Sequence, residues 1–474
     1  MRFLFILTLS IPLFLFGQST DIEAKCNELF SKKAFDYSTH SLSVRSIDDD
    51  REIVGIRSDS KLSPASSLKL ITNFIALQVL GEDYTFTTKI GYAGTIDDSG
   101  TLEGDIVVIG SGDPSFASLR SGKDLSIVLD KIKNAVDKAG IKCIDGNISV
   151  RTNVFSGQAA SGAWPYGDLA NYYGSGAYAL NFNDNEYNLY FKGSSREGQI
   201  AQVDHTAPYI PSLAVASEVV VKGPKSGDQA YIYGDQTNYA KIVRGSIPLT
   251  SKQFKIRGSI PNPPLTFAAL LAKHLNLKVQ GINVNADPIK KSEFQQIATL
   301  KSKPLNQLVK DANLESLNLY CEAFLRLCAK KETGTGSLEN GLDIIEQYLV
   351  KIGIDKRSFS LDDGSGLSPR NLITTSSFTQ FLAHIAQSQK KYTSYIPQVS
   401  KEGTVTHFMT KQKGNTRFHL KSGSMGGVLS YTGAFTASSG KQYAISFIAN
   451  NHSDGNYAIK VQIEKLFEVL YLNL

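Results

Sequence analysis

Between residues 84 and 261 the chain carries the pattern of short strands rather than of helices. Apolar runs at 105–109, 177–182, 187–191 and 219–222 are separated by clusters of Gly, Ser, Asn and Asp, which is the punctuation of a mostly-β segment. A single helical period, 125–139, interrupts them. On either side the pattern differs. Before the block, an amphipathic stretch at 21–30 precedes alternating strands at 40–46 and 51–56, then an apolar-periodic run at 68–80 that Gly81 stops. After it, helices fit 267–275, 305–312, 317–329, 341–351 and 375–387, strands fit 417–421, 429–437 and 442–449, and a last helix fits 457–472. A β-rich block is therefore spliced into an α+β chain.

The chain has 474 residues, about three domains' worth at roughly 150 residues each. With 42% hydrophobic and 20% charged residues, it has the composition of a folded globular protein, not of a disordered or fibrous one. The net charge of +6 is modest. Without a dense Lys/Arg run, zinc-type Cys spacing or an aromatic RNA-binding motif, nucleic acid is not an expected partner.

Met1-Arg2, an apolar run at 3–16 and Gly17-Gln18-Ser19 match a secretory leader: a charged start, an apolar middle and a small residue before the cut. The run is shorter than the roughly 20 residues a membrane span needs, and no later segment offers one. The expectation is an exported chain, periplasmic or in the cell envelope, with no membrane span after cleavage. Four cysteines are too few for a disulfide scaffold. Cys321 and Cys328, two helical turns apart, would be separated by about 10 Å, beyond disulfide reach. They are expected as core thiols, and pairing of Cys26 with Cys143 is left open. The seven histidines show no ligand spacing, so neither metal nor cofactor is expected.

Chemistry concentrates in three short motifs. Ser66-Ser67-Leu68-Lys69 opens a helix with Ser and Lys three apart, hence on one face. A hydroxyl becomes a nucleophile when a neighbouring base takes its proton, and an amine serves once desolvation lowers its pKa. Ser316-Leu317-Asn318 opens another helix with a hydroxyl to relay a proton and an amide to orient a carbonyl. Lys421-Ser422-Gly423-Ser424 ends a strand with a cation for a carboxylate and a glycine that lets a substrate backbone lie close. In the order S-x-x-K, S-x-N, K-[ST]-G these are the signature set of serine β-lactamases and penicillin-binding proteins.

With these motifs the chain resembles the class C low-molecular-mass penicillin-binding proteins, serine D-alanyl-D-alanine carboxypeptidases and endopeptidases. Pro64-Ala65 before the nucleophile, Gly110-Ser111-Gly112-Asp113-Pro114-Ser115, Trp164-Pro165-Tyr166-Gly167-Asp168 and Asp363-Gly364-Ser365-Gly366-Leu367-Ser368 are similar to further family elements. Ser66 and Ser316 stand more than a domain apart, as in enzymes whose extra domains are spliced between the first two motifs. The resemblance implies a β-lactamase/transpeptidase-like fold: an antiparallel sheet with helices on both faces, carrying a mostly-β insert of one or two small domains. The expected division is a leader at 1–17, the two parts of the transpeptidase-like domain at 18–83 and 262–474, and the insert at 84–261. Three departures stand out: Ser422 replaces the usual Thr, the middle S-x-N residue is the apolar Leu317, and Pro369 intervenes before Arg370.

The resemblance also implies roles. Ser66 attacks the penultimate D-alanine carbonyl of a peptidoglycan stem peptide with Lys69 as base. Ser316 and Lys421 pass the proton to the leaving amine, and Asn318 holds the acyl-side amide. Backbone N–H groups of Ser66 and Ser424 form the oxyanion hole. Lys421, with Ser422 and Gly423, receives the terminal carboxylate, and β-lactams acylate the same serine. Asp168 and Tyr173 from the insert, with Met425 and Arg370, contact the diamino acid of the stem. Two other functions share the motifs: a serine β-lactamase or related esterase, and a catalytically silent peptidoglycan-binding protein. The first would need a dedicated deacylating Glu, and Glu322 and Glu339 do not stand in the expected context.

Overall fold

The structure is a computed structural model that describes residues 14–453 and 455–474. The first 13 residues of the expected leader lie outside the described residues. The described residues pack as two compact units, those up to Ser67 with 352–359 and those from 372 onward in the first, and 68–351 with 360–371 in the second.

The first unit is built on a five-stranded antiparallel sheet of β1 (Thr39–Ser46), β2 (Glu52–Ile56), β18 (Phe418–Met425), β19 (Val428–Thr436) and β20 (Gln442–Asn450), in the order β18-β19-β20-β1-β2. Helix α8 (Thr375–Ser388) covers one face. Helices α1 (Phe14–Phe30) and α9 (Asn456–Asn473) cover the other. β20 is almost wholly buried, as expected of a strand covered on both faces. Phe418, Leu420, Tyr431, Phe447 and Phe467 belong to one continuous core. Short strands β3 (Lys61–Leu62), β16 (Phe359–Ser360) and β17 (Leu372–Thr374) form a small ribbon. The expected sheet with helices on both faces is present here, and the fold is α+β.

In the second unit, α2 (Lys69–Leu80), α5 (Leu305–Glu315), α6 (Asn318–Thr333) and α7 (Leu338–Lys351) pack together. Gly81, at φ 93°, ends α2 where a side chain would be strained. A six-stranded sheet, order β14-β7-β5-β4-β15 with β6 beside β5, joins β4 (Thr87–Ile96), β5 (Thr101–Ile109), β6 (Cys143–Asp145), β7 (Asn147–Arg151), β14 (Gly281–Asn285) and β15 (Gln295–Lys301). Helices α3 (Leu125–Lys138) and α4 (Pro263–Leu275) pack against it. Side chains of Asp124 and Asn262 cap their first turns. Two three-stranded sheets complete the unit: β13-β8-β9 from β8 (Glu186–Phe191), β9 (Val203–Ala207) and β13 (Phe254–Ser259), and β10-β12-β11 from β10 (Ala214–Lys222), β11 (Tyr231–Tyr233) and β12 (Ala240–Pro248).

Two expectations need correction. The β-rich block does not end at residue 261, because β14 pairs with β7 and β15 with β4. The chain returns to the insert's sheet after α4, and that helix covers the sheet it interrupts. Residues 177–182 are not a strand. The Asn181 amide accepts from Tyr178 N (2.9 Å) and donates to the Tyr178 carbonyl (2.9 Å), so a side chain takes the bonds a ladder would have made. The open question of Cys26 and Cys143 is answered as well: they do not pair, and all four cysteines are free thiols. Among the described residues no helix is long and apolar enough to cross a membrane.

Candidate active site

The predicted site residues fall in both units. In the first, Ser66 lies in a single 3-10 turn, Ala65–Leu68, that runs directly into α2. Ser66 is partly exposed, whereas Ser67 is fully buried. The Ser67 hydroxyl contacts Ser430 Oγ (2.8 Å) and the Lys421 carbonyl (3.2 Å), and Ser430 Oγ donates to the Pro64 carbonyl (2.6 Å). Of the two adjacent serines, Ser67 is thus committed to holding the turn against β18 and β19.

Lys421 to Ser424 lie within β18, the edge strand. Its antiparallel register with β19 pairs Lys421 with Thr432 and Gly423 with Ser430. Leu420 N donates outward to the Pro397 carbonyl (2.9 Å). By strand alternation, the backbone groups of Ser422 and Ser424 also face this outer edge. Gly423 has a reason different from the one expected. A Cβ there would stand 2.5 Å from the Pro64 carbonyl, 2.9 Å from Ser66 N and against Ser430 Oγ. The missing side chain lets the protein's own Pro64–Ser66 segment, rather than a substrate, approach the strand. It brings the Ser66 N–H beside β18.

Other groups fix this edge. Lys421 is fully buried, and its Nζ donates to the Ser422 carbonyl (2.7 Å). Ser422 Oγ and Thr404 Oγ1 are 2.7 Å apart, and Asn456 Nδ2 donates to Ser424 Oγ (2.8 Å). Met425 ends the strand at the Gly426-Gly427 hairpin.

In the second unit, Lys69 begins α2 and is fully buried. Its Nζ donates to Asn318 Oδ1 (2.6 Å) and to the Ser365 carbonyl (2.6 Å). Burial pushes its pKa below the ordinary lysine value, while Cys321, Asp363 and Glu322 pull the other way. Asn318 opens α6, and its Nδ2 donates to the Tyr173 carbonyl (2.7 Å). Ser316 caps the end of α5 at φ 60°, ψ 43°. A left-handed residue other than glycine costs about 1 kcal/mol, and such strain concentrates at functional turns.

The turn at Asp363 supplies the acceptor for Lys69. Asp363 Oδ1 accepts from Gly366 N (2.6 Å), Ser365 N (3.0 Å) and Asn371 Nδ2 (2.9 Å), and Oδ2 from Ser368 N (2.5 Å) and Trp164 Nε1 (2.8 Å). One carboxylate therefore orients the loop that presents the Ser365 carbonyl. Glu322 accepts from Gly364 N (2.9 Å) and pairs with buried Arg326 (2.9 Å). This turn is the Asp363–Ser368 element already singled out in the sequence. Thr404 left no comparable signal in its loop.

Two insert residues join this cluster. Tyr173 donates its hydroxyl to Asp168 Oδ1 (3.0 Å). Burial raises the Asp168 pKa, and the Tyr173 hydrogen bond opposes it. Arg370 is not gathered with them: its side chain is 73% exposed and pairs with Asp362 (3.0 Å).

Fold and motifs together are those of the class C low-molecular-mass penicillin-binding proteins, serine-type D-alanyl-D-alanine carboxypeptidases. The model of the D-Ala-D-Ala carboxypeptidase 3 (S13) family matches residues 22–468, and the chain belongs to that family. The D-alanyl-D-alanine carboxypeptidase DacB of Haemophilus influenzae is 26% identical over 446 residues, covering 90% of each chain. A D-alanyl-D-alanine carboxypeptidase of Actinomadura sp. is 24% identical over 417 residues, covering 83% of this chain and 74% of that one. The crystal structure of penicillin binding protein 4 (dacB) from Haemophilus influenzae superposes with a TM-score of 0.81 at 22% identity, over 94% of this chain and 99% of that one.

Proposed function

We propose that the protein hydrolyses the terminal D-Ala–D-Ala bond of peptidoglycan stem peptides through an acyl-enzyme on Ser66. Lys69, buried and held by Asn318 and Ser365 three positions from a partly exposed serine, is the observation that carries this reading. Ser66 Oγ attacks the penultimate carbonyl and its proton passes to the Lys69 amine. The oxyanion receives the N–H groups of Ser66 and Ser424, each donor worth about 2.7–4 kcal/mol. Ser316 and Lys421 deliver a proton to the departing D-alanine amine, and water then frees the enzyme. Asn318 Oδ1 keeps a second lone pair for the acyl-side N–H. Lys421 and Ser422 receive the terminal carboxylate.

Asp168 and Tyr173 are assigned to the amine of the stem's diamino acid. The same attack opens a β-lactam ring, making penicillins covalent inhibitors. In a cross-link the same D-alanyl carbonyl is joined to a diamino-acid amine of a second stem, so attack at that carbonyl gives endopeptidase action by the same chemistry. The apolar leader and a wall polymer as substrate support export to the periplasm or envelope. Glu322, bound to Arg326 and Gly364, is not disposed as a deacylating base, which counts against the β-lactamase alternative.

The test is a penicillin pulse followed by peptide mapping, alongside hydrolysis of a D-Ala-D-Ala peptide. An adduct on Ser66 and release of D-alanine are expected. An adduct elsewhere, or none together with no D-alanine released, would overturn the proposal.

A further inference from the structure

The segment that carries Asp168 and Tyr173 also carries exposed aromatic rings that the reaction does not use. Buried Asn171 fixes their arrangement. Its amide donates to the Gly167 carbonyl (2.7 Å) and the Ile232 carbonyl (3.2 Å), and accepts from Ile232 N (3.0 Å). This pair of hydrogen bonds to the Ile232 backbone locks strand β11 alongside Tyr166–Tyr173. Ile232 is fully buried, so alternation along the strand turns Tyr231 and Tyr233 outward. Tyr231 is 46% exposed, Tyr166 63% and Tyr172 37%. The Tyr166 and Tyr233 ring centroids lie 6.4 Å apart. Arg257 stacks 3.5 Å over Tyr172, and Arg244 stands 5.9 Å from the Tyr233 centroid.

These rings contribute little to the core, and exposed aromatic patches mark interaction sites. Each ring offers an apolar face and a polar tip. With a guanidinium at either side, the surface suits a ligand with C–H faces and hydroxyl or amide edges. A pyranose has that form. Continuity decides between a sugar and a protein partner. The patch shares one short segment with the residues assigned to the stem peptide, and every stem is covalently attached to an N-acetylated glycan strand.

We propose that Tyr166, Tyr172, Tyr231 and Tyr233 form a stacking platform for the glycan strand that bears the stem. The platform rests on the assignment of Asp168 and Tyr173 to the stem. It would make the enzyme prefer stems still attached to glycan over free stem peptides.

The test compares D-alanine release from a free stem pentapeptide and from the same stem on purified glycan strands, with N,N′,N″-triacetylchitotriose as a binding probe. The variants are Tyr166→Ser with Tyr231→Ser, and the matching pair of Phe substitutions, each checked for an unchanged melting transition. The wild type should favour glycan-borne stems and bind the probe. The Ser pair should lose that preference, on the order of fivefold per ring, while cleaving the free peptide normally, and the Phe pair should keep it. Absence of a preference in the wild type, its survival in the Ser pair, its loss in the Phe pair, or an equal fall on both substrates would overturn the platform. Failure of the wild type to cleave even the free peptide would instead overturn the peptidase assignment beneath it.

Discussion

Thr404 Oγ1 lies 2.7 Å from Ser422 Oγ, so the hydroxyl assigned to the substrate carboxylate is itself held by a neighbour. Serine lacks the γ-methyl that restricts threonine at χ1, and the contact with Thr404 restores that restriction from outside. Thr404→Val should raise KM for a D-Ala-D-Ala peptide roughly fivefold, the worth of about 1 kcal/mol for one hydrogen bond. A C-terminal amide analogue should be affected far less. Adding Ser422→Thr should recover most of the loss. Equal effects on acid and amide would refute this role.

The two adjacent serines should behave differently. Ser66→Ala should abolish labelling by a fluorescent penicillin with the fold intact. Ser67→Ala should still label, but lose about 1 kcal/mol of stability with its bond to Ser430. Denaturant midpoints and gel fluorescence read both, and retained labelling in Ser66→Ala would show that the nucleophile lies elsewhere.

Burial lowers the Lys69 pKa, and as a base the amine must be neutral. Acylation should therefore accelerate as pH rises through this depressed value and slow below it. The stability sign follows from linkage. Below the folded-state pKa the amine is charged in both states and the cost of burial is felt in full. Between that value and the ordinary one near about 10.4, the unfolded state binds more protons, so stability rises with pH. Lys69→Met should remove this component from the pH dependence of the denaturant midpoint. A rate of acylation that stays flat from acidic buffers up to the ordinary lysine value near about 10.4 would contradict the role.

Asp168, joined to Tyr173 at 3.0 Å, should matter only for substrates that reach it. Asp168→Ala should slow cleavage of stems with a free diamino-acid amine by the equivalent of about 1.5–3 kcal/mol. Acetylated stems and simple penicillins should react almost as before. A uniform loss across all three would mean that Asp168 only supports the fold.

Deacylation should be slow for penicillins, because the leaving amine stays tethered and the buried Glu322 is engaged by Arg326 and Gly364. Intact-protein mass spectrometry should show the adduct persisting for many minutes. Its disappearance within seconds, with the antibiotic consumed catalytically, would indicate a β-lactamase.

The parts of this molecule that were legible in its sequence are those governed by local period. The run at 68–80 announced α2 through its apolar period and Gly81, and the apolar run at 442–449 announced β20. The three motifs were legible because their residue types are rare together in that order. What stayed hidden depends on distant partners. No local signal says that residues 295–301 return to pair with β4, or that Asn181 ends strand formation at 177–182 by bonding its own neighbours. The contacts of Lys69 with Asn318 and Ser365 likewise join residues hundreds of positions apart, as does Asp363 with Trp164.

The closeness of Gly423 to Ser66 also bears on how drug resistance could arise. A target can escape an inhibitor by growing a bulkier side chain beside the nucleophile. At position 423 that route is closed, since even one added carbon would press on the Pro64 carbonyl and on Ser66 N. It would displace the reacting serine before it excluded the antibiotic. Escape substitutions should therefore arise at positions other than 423.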